Sequence, residues 1–143
     1  DFRRFRDMWK GKLLLKGVLR VDDVARAIEC GADGVIISNH GGRQLDGAIA
    51  GMDVLPEVVR EVRGRMTIIV DGGVRRGSDI AKALASGAEA VILGRAINYG
   101  LAAGGAAGVT RALDILRDEF DRTLALNGCC SSADLSPDLI TTL

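Results

Sequence analysis

Apolar positions along this chain follow two alternating patterns. Short unbroken runs, rich in β-branched residues, occupy Lys12–Lys16 (KLLLK), Gly34–Ser38 (GVIIS), Met66–Asp71 (MTIIVD) and Ala90–Gly94 (AVILG). Runs of this length without polar alternation suit parallel strands buried on both faces. Between them the spacing becomes helical. Val21–Cys30 repeats at Val21, Val24, Ala25 and Ile28, with Asp22 and Asp23 at the end where carboxylates favour a helix N-terminus. Leu55, Val58, Val59 and Val62 define a second helix, with Pro56 expected in its first turn, where no hydrogen bond is lost. The third, Ser78–Ser86, has Ser78 as its expected N-cap and Gly87 just past its end. A Gly/Ala-rich connector, Leu101–Gly108, should then lead into an amphipathic helix from about Val109 to Leu126 and a tail holding Ser136-Pro137-Asp138.

Strand and helix in alternation predict βαβ units and a parallel sheet, hence an α/β fold. The chain also echoes itself: Gly31-Ala32-Asp33-Gly34-Val35-Ile36-Ile37 resembles Gly87-Ala88-Glu89-Ala90-Val91-Ile92-Leu93. Both stretches stand at a helix-to-strand junction, two βα units apart. Repeated units of this kind favour part of a (β/α)8 TIM barrel over a doubly wound sheet. A whole barrel takes about 250 residues, and four strands are visible in 143. Residues 1–143 are therefore expected to form one partial barrel domain; a small open α/β sheet is the alternative.

Composition narrows the function classes. Apolar residues at 48% and charged residues at 27% are globular proportions. Formal net charge is zero, so no overall field draws the chain to nucleic acid. The opening Asp1-Phe2-Arg3-Arg4-Phe5-Arg6 reads as a solvated helix edge. No apolar run approaches the ~20 residues that span a bilayer. Cys30, Cys129 and Cys130 have no metal-ligand spacing, so no metal is expected and a reducing cytoplasmic setting is. The chain starts at Asp1 without an initiator Met, which suggests a fragment or processed product.

Polar groups gather at the carboxyl ends of all four runs, the end at which parallel barrels bind ligands. Lys16 closes the first; it could steady a developing anion or simply snorkel. The second delivers Ser38-Asn39-His40-Gly41-Gly42-Arg43. His40, the only histidine, is the one side chain whose ordinary pKa suits a general base near neutrality. Arg43 offers a planar fork for a carboxylate. A base beside a carboxylate clamp implies chemistry on a small organic acid. The third and fourth runs end in Asp71-Gly72-Gly73-Val74-Arg75 and Gly94-Arg95, each just before a helix. Bare backbone N–H groups with an added arginine make an anion cradle, typically for phosphate. The GxGxxG dinucleotide fingerprint is absent.

Taken together, LLLKGV, SNHGGRQLD, DGGVRRGSDI and GAEAVILGRA resemble, in order and spacing, the carboxyl-terminal half of the FMN-dependent α-hydroxy-acid dehydrogenase/oxidase family. That resemblance implies strands 5–8 of the barrel plus the C-terminal helices, FMN as cofactor, and oxidation of a small (S)-2-hydroxy acid to the 2-oxo acid. It implies that Lys16 lies near flavin N1 and O2 and stabilises the reduced isoalloxazine, with Ser38 also touching the flavin. His40 would be the base and Arg43 the substrate-carboxylate ligand. Asp71, Gly72, Gly73, Val74 and Arg75 would hold the ribityl chain and phosphate, with Gly94 and Arg95 completing the phosphate site. Hydride and carbanion routes both stay open. GAIAGMDVL, RGSDIAKALASGAEAV and LSPD lean toward the mandelate dehydrogenase branch, with L-lactate dehydrogenases next and oxygen-using oxidases after them.

The family's first half carries four further strands, two active-site tyrosines and the acid that orients the histidine, and none of these has a counterpart here. The isolated chain is accordingly expected to be inactive or to need self-association, and a homo-oligomer is expected. The rival function is a truncated, non-catalytic flavin- or phosphate-binding half-barrel. The electron acceptor (quinone, cytochrome or oxygen) is left open, as is membrane attachment through a segment outside the sequence. Arg20-Val21 stands where the family often has a capping Ser or Thr.

Overall fold

The computed structural model describes residues 1–141. Its elements run α1 (Phe2–Met8), β1 (Leu14–Val18), α2 (Val21–Glu29), β2 (Gly34–Ile37), α3 (Gly51–Val62), β3 (Thr67–Asp71), α4 (Gly77–Ala85), β4 (Ala90–Ile92) and α5 (Arg95–Leu126). The strands form one parallel sheet in the order β1-β2-β3-β4. A doubly wound sheet reverses its strand order at a switch point; this one does not. Right-handed crossovers repeated in one direction place α2, α3 and α4 on the same face, as in a barrel wall.

Burial along the strands shows which face that is. Val35, Ile37, Ile68 and Val70 are at most 4% exposed and pack with Val24, Ala27, Leu55, Val58, Val62 and Ala83 from α2, α3 and α4. Full burial of such a side chain contributes about 1.5–3 kcal/mol. The alternate strand positions Leu14, Ile36, Ile69 and Ile92 point the other way and remain only partly buried. Expected strands buried on both faces are thus covered on one.

Several boundaries differ from the sequence expectation for local reasons. The first strand begins at Leu14 instead of Lys12, because the Leu13 N–H turns aside to the Asp33 carboxylate at 2.9 Å. Pro56 lies in the second turn of α3, which starts at Gly51, earlier than the apolar repeat suggested. Arg76, not Ser78, is the N-cap of α4. The expected connector Leu101–Gly108 is mostly helical: α5 is interrupted only at Gly104 and Gly105, where a positive φ of 57° at Gly105 turns the backbone sharply. The turn brings Gly100 and Gly108 into contact, so close that a Cβ on Gly108 would sit 1.9 Å from the Gly100 carbonyl oxygen.

The internal echo corresponds to a shared device. In both units the alanine after the glycine donates back into the helix, Ala32 to Ala27 and Ala88 to Ala83, each at 3.0 Å. The acidic residue that follows ties the junction to neighbouring structure. Asp33 accepts from Leu13 N–H, Arg6 and Lys12, and Glu89 accepts from the Thr67 hydroxyl.

Two predictions follow from this packing. A methyl on Gly77 would lie 2.1 Å from the Phe120 nitrogen and 2.6 Å from the Leu116 carbonyl oxygen. Gly77→Ala should therefore force α4 and α5 apart and destabilise by roughly 1–3 kcal/mol, read from the urea midpoint. The Leu13 N–H, then Arg6 and Lys12, hold the Asp33 carboxyl down at about 2. With the folded value below the unfolded one, this stabilisation is complete above the ordinary carboxylate range and vanishes as pH falls toward 2. Asp33→Asn should be less stable than the parent at pH 6 and lose less on acidification, as thermal melts across that range would show.

Candidate active site at the carboxyl rim

Parallel pairing places all four strand ends on one rim, and the candidate residues fall there. Lys16 is paired with Ile36 across β1 and β2, and Ile36 with Ile69 across β2 and β3. Lys16, Ser38 and Asp71 consequently project from the face away from the helices. They meet in one cluster. The Lys16 ammonium pairs with the Asp71 carboxylate and donates to the Ser38 hydroxyl at 3.1 Å. Ser38 donates in turn to Asp71 at 2.7 Å and accepts the His40 backbone N–H at 3.0 Å. Ser38 is fully buried, the one polar side chain in that class among the described residues. Burial alone would raise the Asp71 carboxyl; the Lys16 ammonium and the Ser38 hydroxyl outweigh it, and the net direction is down.

His40 opens a short 3-10 turn, His40–Gly42, with a φ of 54° that a non-glycine residue rarely adopts. Asn39 holds that turn, its side-chain oxygen accepting the Gly41 N–H at 3.0 Å. The Asn39 contribution was not anticipated, although Asn two residues before a glycine N–H is the ordinary signature of such a turn. Backbone strain of this sort is kept where the surroundings over-determine it, most often at functional sites. Arg43 follows on the exposed loop, with no hydrogen bond to its guanidinium among the described residues. The cluster and Arg43 are therefore neighbours in sequence, with no hydrogen bond or ion pair joining them among the described residues.

The glycine-rich loops are not equivalent. Gly72, Gly73, Val74 and Arg75 connect β3 to α4, but the α4 N-terminus is already closed. Asp79 accepts the Arg75 and Arg76 N–H groups at 2.9 Å each, and Glu119 of α5 accepts the Gly77 N–H at 2.9 Å. Those contacts, first from Gly77 and then from Arg76, keep the Glu119 carboxyl low. Arg75 can thus offer an anion its side chain but not its backbone. Gly94 and Arg95 begin α5, whose N-terminus has no side-chain cap and no acidic residue in its first turn. The Arg95 guanidinium reaches toward Gly41, within 3.6 Å of where a Cβ would stand, and so links the fourth strand's rim to the His40 turn. A cleft of about 300 Å³ opens between these parts, lined by Asn39, Gly41, Asp71, Gly73, Val74 and Arg95 among others. That is the low end for a small-molecule site and suits a phosphate-bearing chain. Among the described residues no group of His, Cys, Asp and Glu could hold a metal ion.

Four βα units in chain order with the polar rim at their carboxyl ends describe part of a (β/α) barrel, and known proteins share that fold. The chain belongs to the FMN-dependent dehydrogenase family, whose match covers residues 1–142. It is 56% identical over 138 residues to (S)-mandelate dehydrogenase of Pseudomonas putida, covering 96% of this chain and 35% of that protein. It is 52% identical over 128 residues to L-lactate oxidase of Nostoc sp., covering 90% and 35% respectively. A crystal structure of a soluble mutant of the membrane-associated P. putida (S)-mandelate dehydrogenase superposes with a TM-score of 0.95 at 54% identity, over 99% of this chain and 40% of that one. The chain thus spans 35–39% of the length of the curated relatives it matches, and its four βα units are part of such a barrel. No helix among the described residues is long and apolar enough to cross a membrane.

Ser38 holds three partners in a buried position. Ser38→Ala should cost about 1–3 kcal/mol, because the His40 N–H is left unpaired. A chemical denaturation curve measures it, and a change below experimental error would contradict the cluster as drawn.

Proposed function

We propose that this chain is the carboxyl-terminal part, strands 5–8 of the barrel, of an FMN-dependent enzyme that oxidises a small (S)-2-hydroxy acid to the 2-oxo acid. The observation that carries the reading is the meeting of the Lys16–Ser38–Asp71 cluster and His40 on the rim that also holds the open N-terminus of α5. The residues present fit FMN: an uncapped helix end with Arg95 for a phosphate, a cleft edged by Asn39, Asp71 and glycine backbone for a ribityl chain, and a lysine cation paired with Asp71.

When bound, FMN supplies the acceptor for the two electrons that leave the substrate. The remaining work falls to the protein. Gly94, Arg95 and the side chain of Arg75 would hold the phosphate. Asp71 and the Gly72–Gly73–Val74 backbone would hold the ribityl chain. Lys16, fixed by Asp71 and Ser38, would supply a positive charge that stabilises the reduced flavin. Arg43 takes the substrate carboxylate by a forked pair of hydrogen bonds. His40 takes a proton from the substrate, from its hydroxyl or from its α-carbon, and its turn is held by Ser38 and Asn39 so that the imidazole meets that proton.

Relatives named as oxidases and as dehydrogenases stand at similar identity, so oxygen, a quinone or a cytochrome completes the cycle. The substrate class follows the same relatives, with an aromatic 2-hydroxy acid favoured by the mandelate-like stretches. The free cysteines Cys30, Cys129 and Cys130 support a cytoplasmic setting. One solved relative is described as a monotopic membrane protein, and membrane association of that kind is compatible with this reading. The partly exposed sheet face and the two open edge strands support assembly with further chain, including a homo-oligomer.

The test is anaerobic addition of (S)-mandelate or L-lactate to the FMN-loaded full-length protein, following flavin absorbance. Bleaching is expected, and His40→Ala should slow it by about 10²–10⁴-fold. Arg95→Gln should weaken FMN roughly 10–100-fold through loss of a charge-assisted contact, while leaving riboflavin, which has no phosphate, unaffected. Flavin binding without bleaching by any 2-hydroxy acid would favour the non-catalytic half-barrel instead.

A further inference from the structure

The β1–β2 ladder contains an irregularity at the centre of the rim. Leu14, Leu15 and Lys16 pair in step with Gly34, Val35 and Ile36, but Ile37 then pairs with Val18. Gly17 is therefore an extra residue, a bulge, and its φ is +93°. Strict alternation would carry Val18 back to the face that bears Lys16. The bulge instead sends Val18 into the core beneath the helices, where it is 5% exposed. Gly17 is left on the rim with its missing side chain directed at His40. A Cβ there would lie 2.6 Å from the His40 Nε2, 3.4 Å from Cε1 and 3.6 Å from Cδ2.

The imidazole thus stands on the bare backbone of Gly17. Its own backbone is pinned on the other side, with φ at 54° and its N–H bound to Ser38. With the backbone fixed at both residues, a methyl group on Gly17 can be accommodated only by moving the exposed imidazole away from this position. Lys16, the residue before Gly17, is anchored separately to Asp71 and Ser38.

We propose that Gly17 is a positioning residue for the reaction: the bulge at Gly17 forms the floor that fixes the His40 imidazole, and no residue with a side chain can replace it without displacing the base. This rests on the reading of His40 as the base. Displacement of a catalytic group by about an ångström costs on the order of 10²-fold in rate. The effect belongs to kcat, since Arg43 and the phosphate cradle lie elsewhere.

The experiment compares Gly17→Ala, Gly64→Ala, His40→Ala and the Gly17→Ala/His40→Ala double variant in the full-length FMN-loaded enzyme. Gly64 has a similar φ of 74°, in the turn after α3, and nothing within 4 Å of a Cβ, so it reports backbone strain alone. Gly17→Ala should keep its FMN and a KM within about threefold, lose roughly 10–100-fold in kcat, and shift the acid limb of the kcat/KM profile. Gly64→Ala should melt earlier without any of these kinetic changes. In the His40→Ala background the alanine at 17 should cost nothing further, because the ring it would strike is gone. If Gly17→Ala alone fails to fold, the double variant should fold, for the same reason. Unchanged kcat in Gly17→Ala, an equal further loss in the His40→Ala background, or, where Gly17→Ala fails to fold, a double variant that also fails would each overturn the proposal. A crystal structure of Gly17→Ala separates the two readings. Full turnover by His40→Ala would remove His40 as base, whereas an undisplaced imidazole over Ala at position 17 would refute the floor itself.

Discussion

Parallel pairing in chain order, with side-chain register kept between neighbours, is the constraint on which the rest depends. Each strand bonds to the one before it, so every carboxyl end reaches the same rim. Register then decides which side chains face which way. Lys16, Ile36 and Ile69 share one face; Ser38 and Asp71 follow two residues on from Ile36 and Ile69 and share it too. A slip of one residue between β2 and β3 would turn Asp71 toward the helices and bury a carboxylate among valines. The apolar positions Ile68 and Val70 oppose that slip, because it would take them out of the core they share with Val35 and Ile37. Core packing on one side of the sheet thus holds the polar cluster in place on the other.

The same arithmetic explains what could be read from the residues and what could not. Element order, the parallel sheet and the rim location of Lys16, Ser38, His40, Asp71, Gly73, Gly94 and Arg95 were legible, because each depends on local apolar runs and on where they stop. The bulge at Gly17 was not, since Lys-Gly-Val at the end of an apolar run reads equally well as a strand terminus. Glu119 was hidden for a different reason. It closes the N-terminus of α4 from 42 positions away in the chain, and no local pattern signals a partner at that distance. The Gly/Ala stretch before Val109 misled because glycine lowers helix propensity, while close packing of Gly100 on Gly108 recovers it. Asp33 lies inside the sequence echo, yet its contacts with Arg6, Lys12 and Leu13 come from elements before the first strand.

One face of the sheet remains thinly covered. Leu14, Ile36, Ile69 and Ile92 are partly exposed beside the candidate site, and α1 with Trp9 presents further apolar surface, no residue of that helix being buried. The relatives are more than twice as long as this chain. The geometry therefore separates two tasks. On the proposed reading these residues supply the phosphate cradle, the fixed cation and the base, and the thinly covered side is where further chain would exclude water from them.

The asymmetry between the two helix ends has a further meaning. Asp79 and Glu119 neutralise the start of α4, whereas the start of α5 stays bare. On the proposed reading, an anionic end of the cofactor would find its free backbone N–H donors at α5 beside Arg95, which would leave the uncharged end to the Lys16 and His40 side of the rim. Asp79 and Glu119, by closing the rival terminus, would give the cleft one electropositive helix end instead of two.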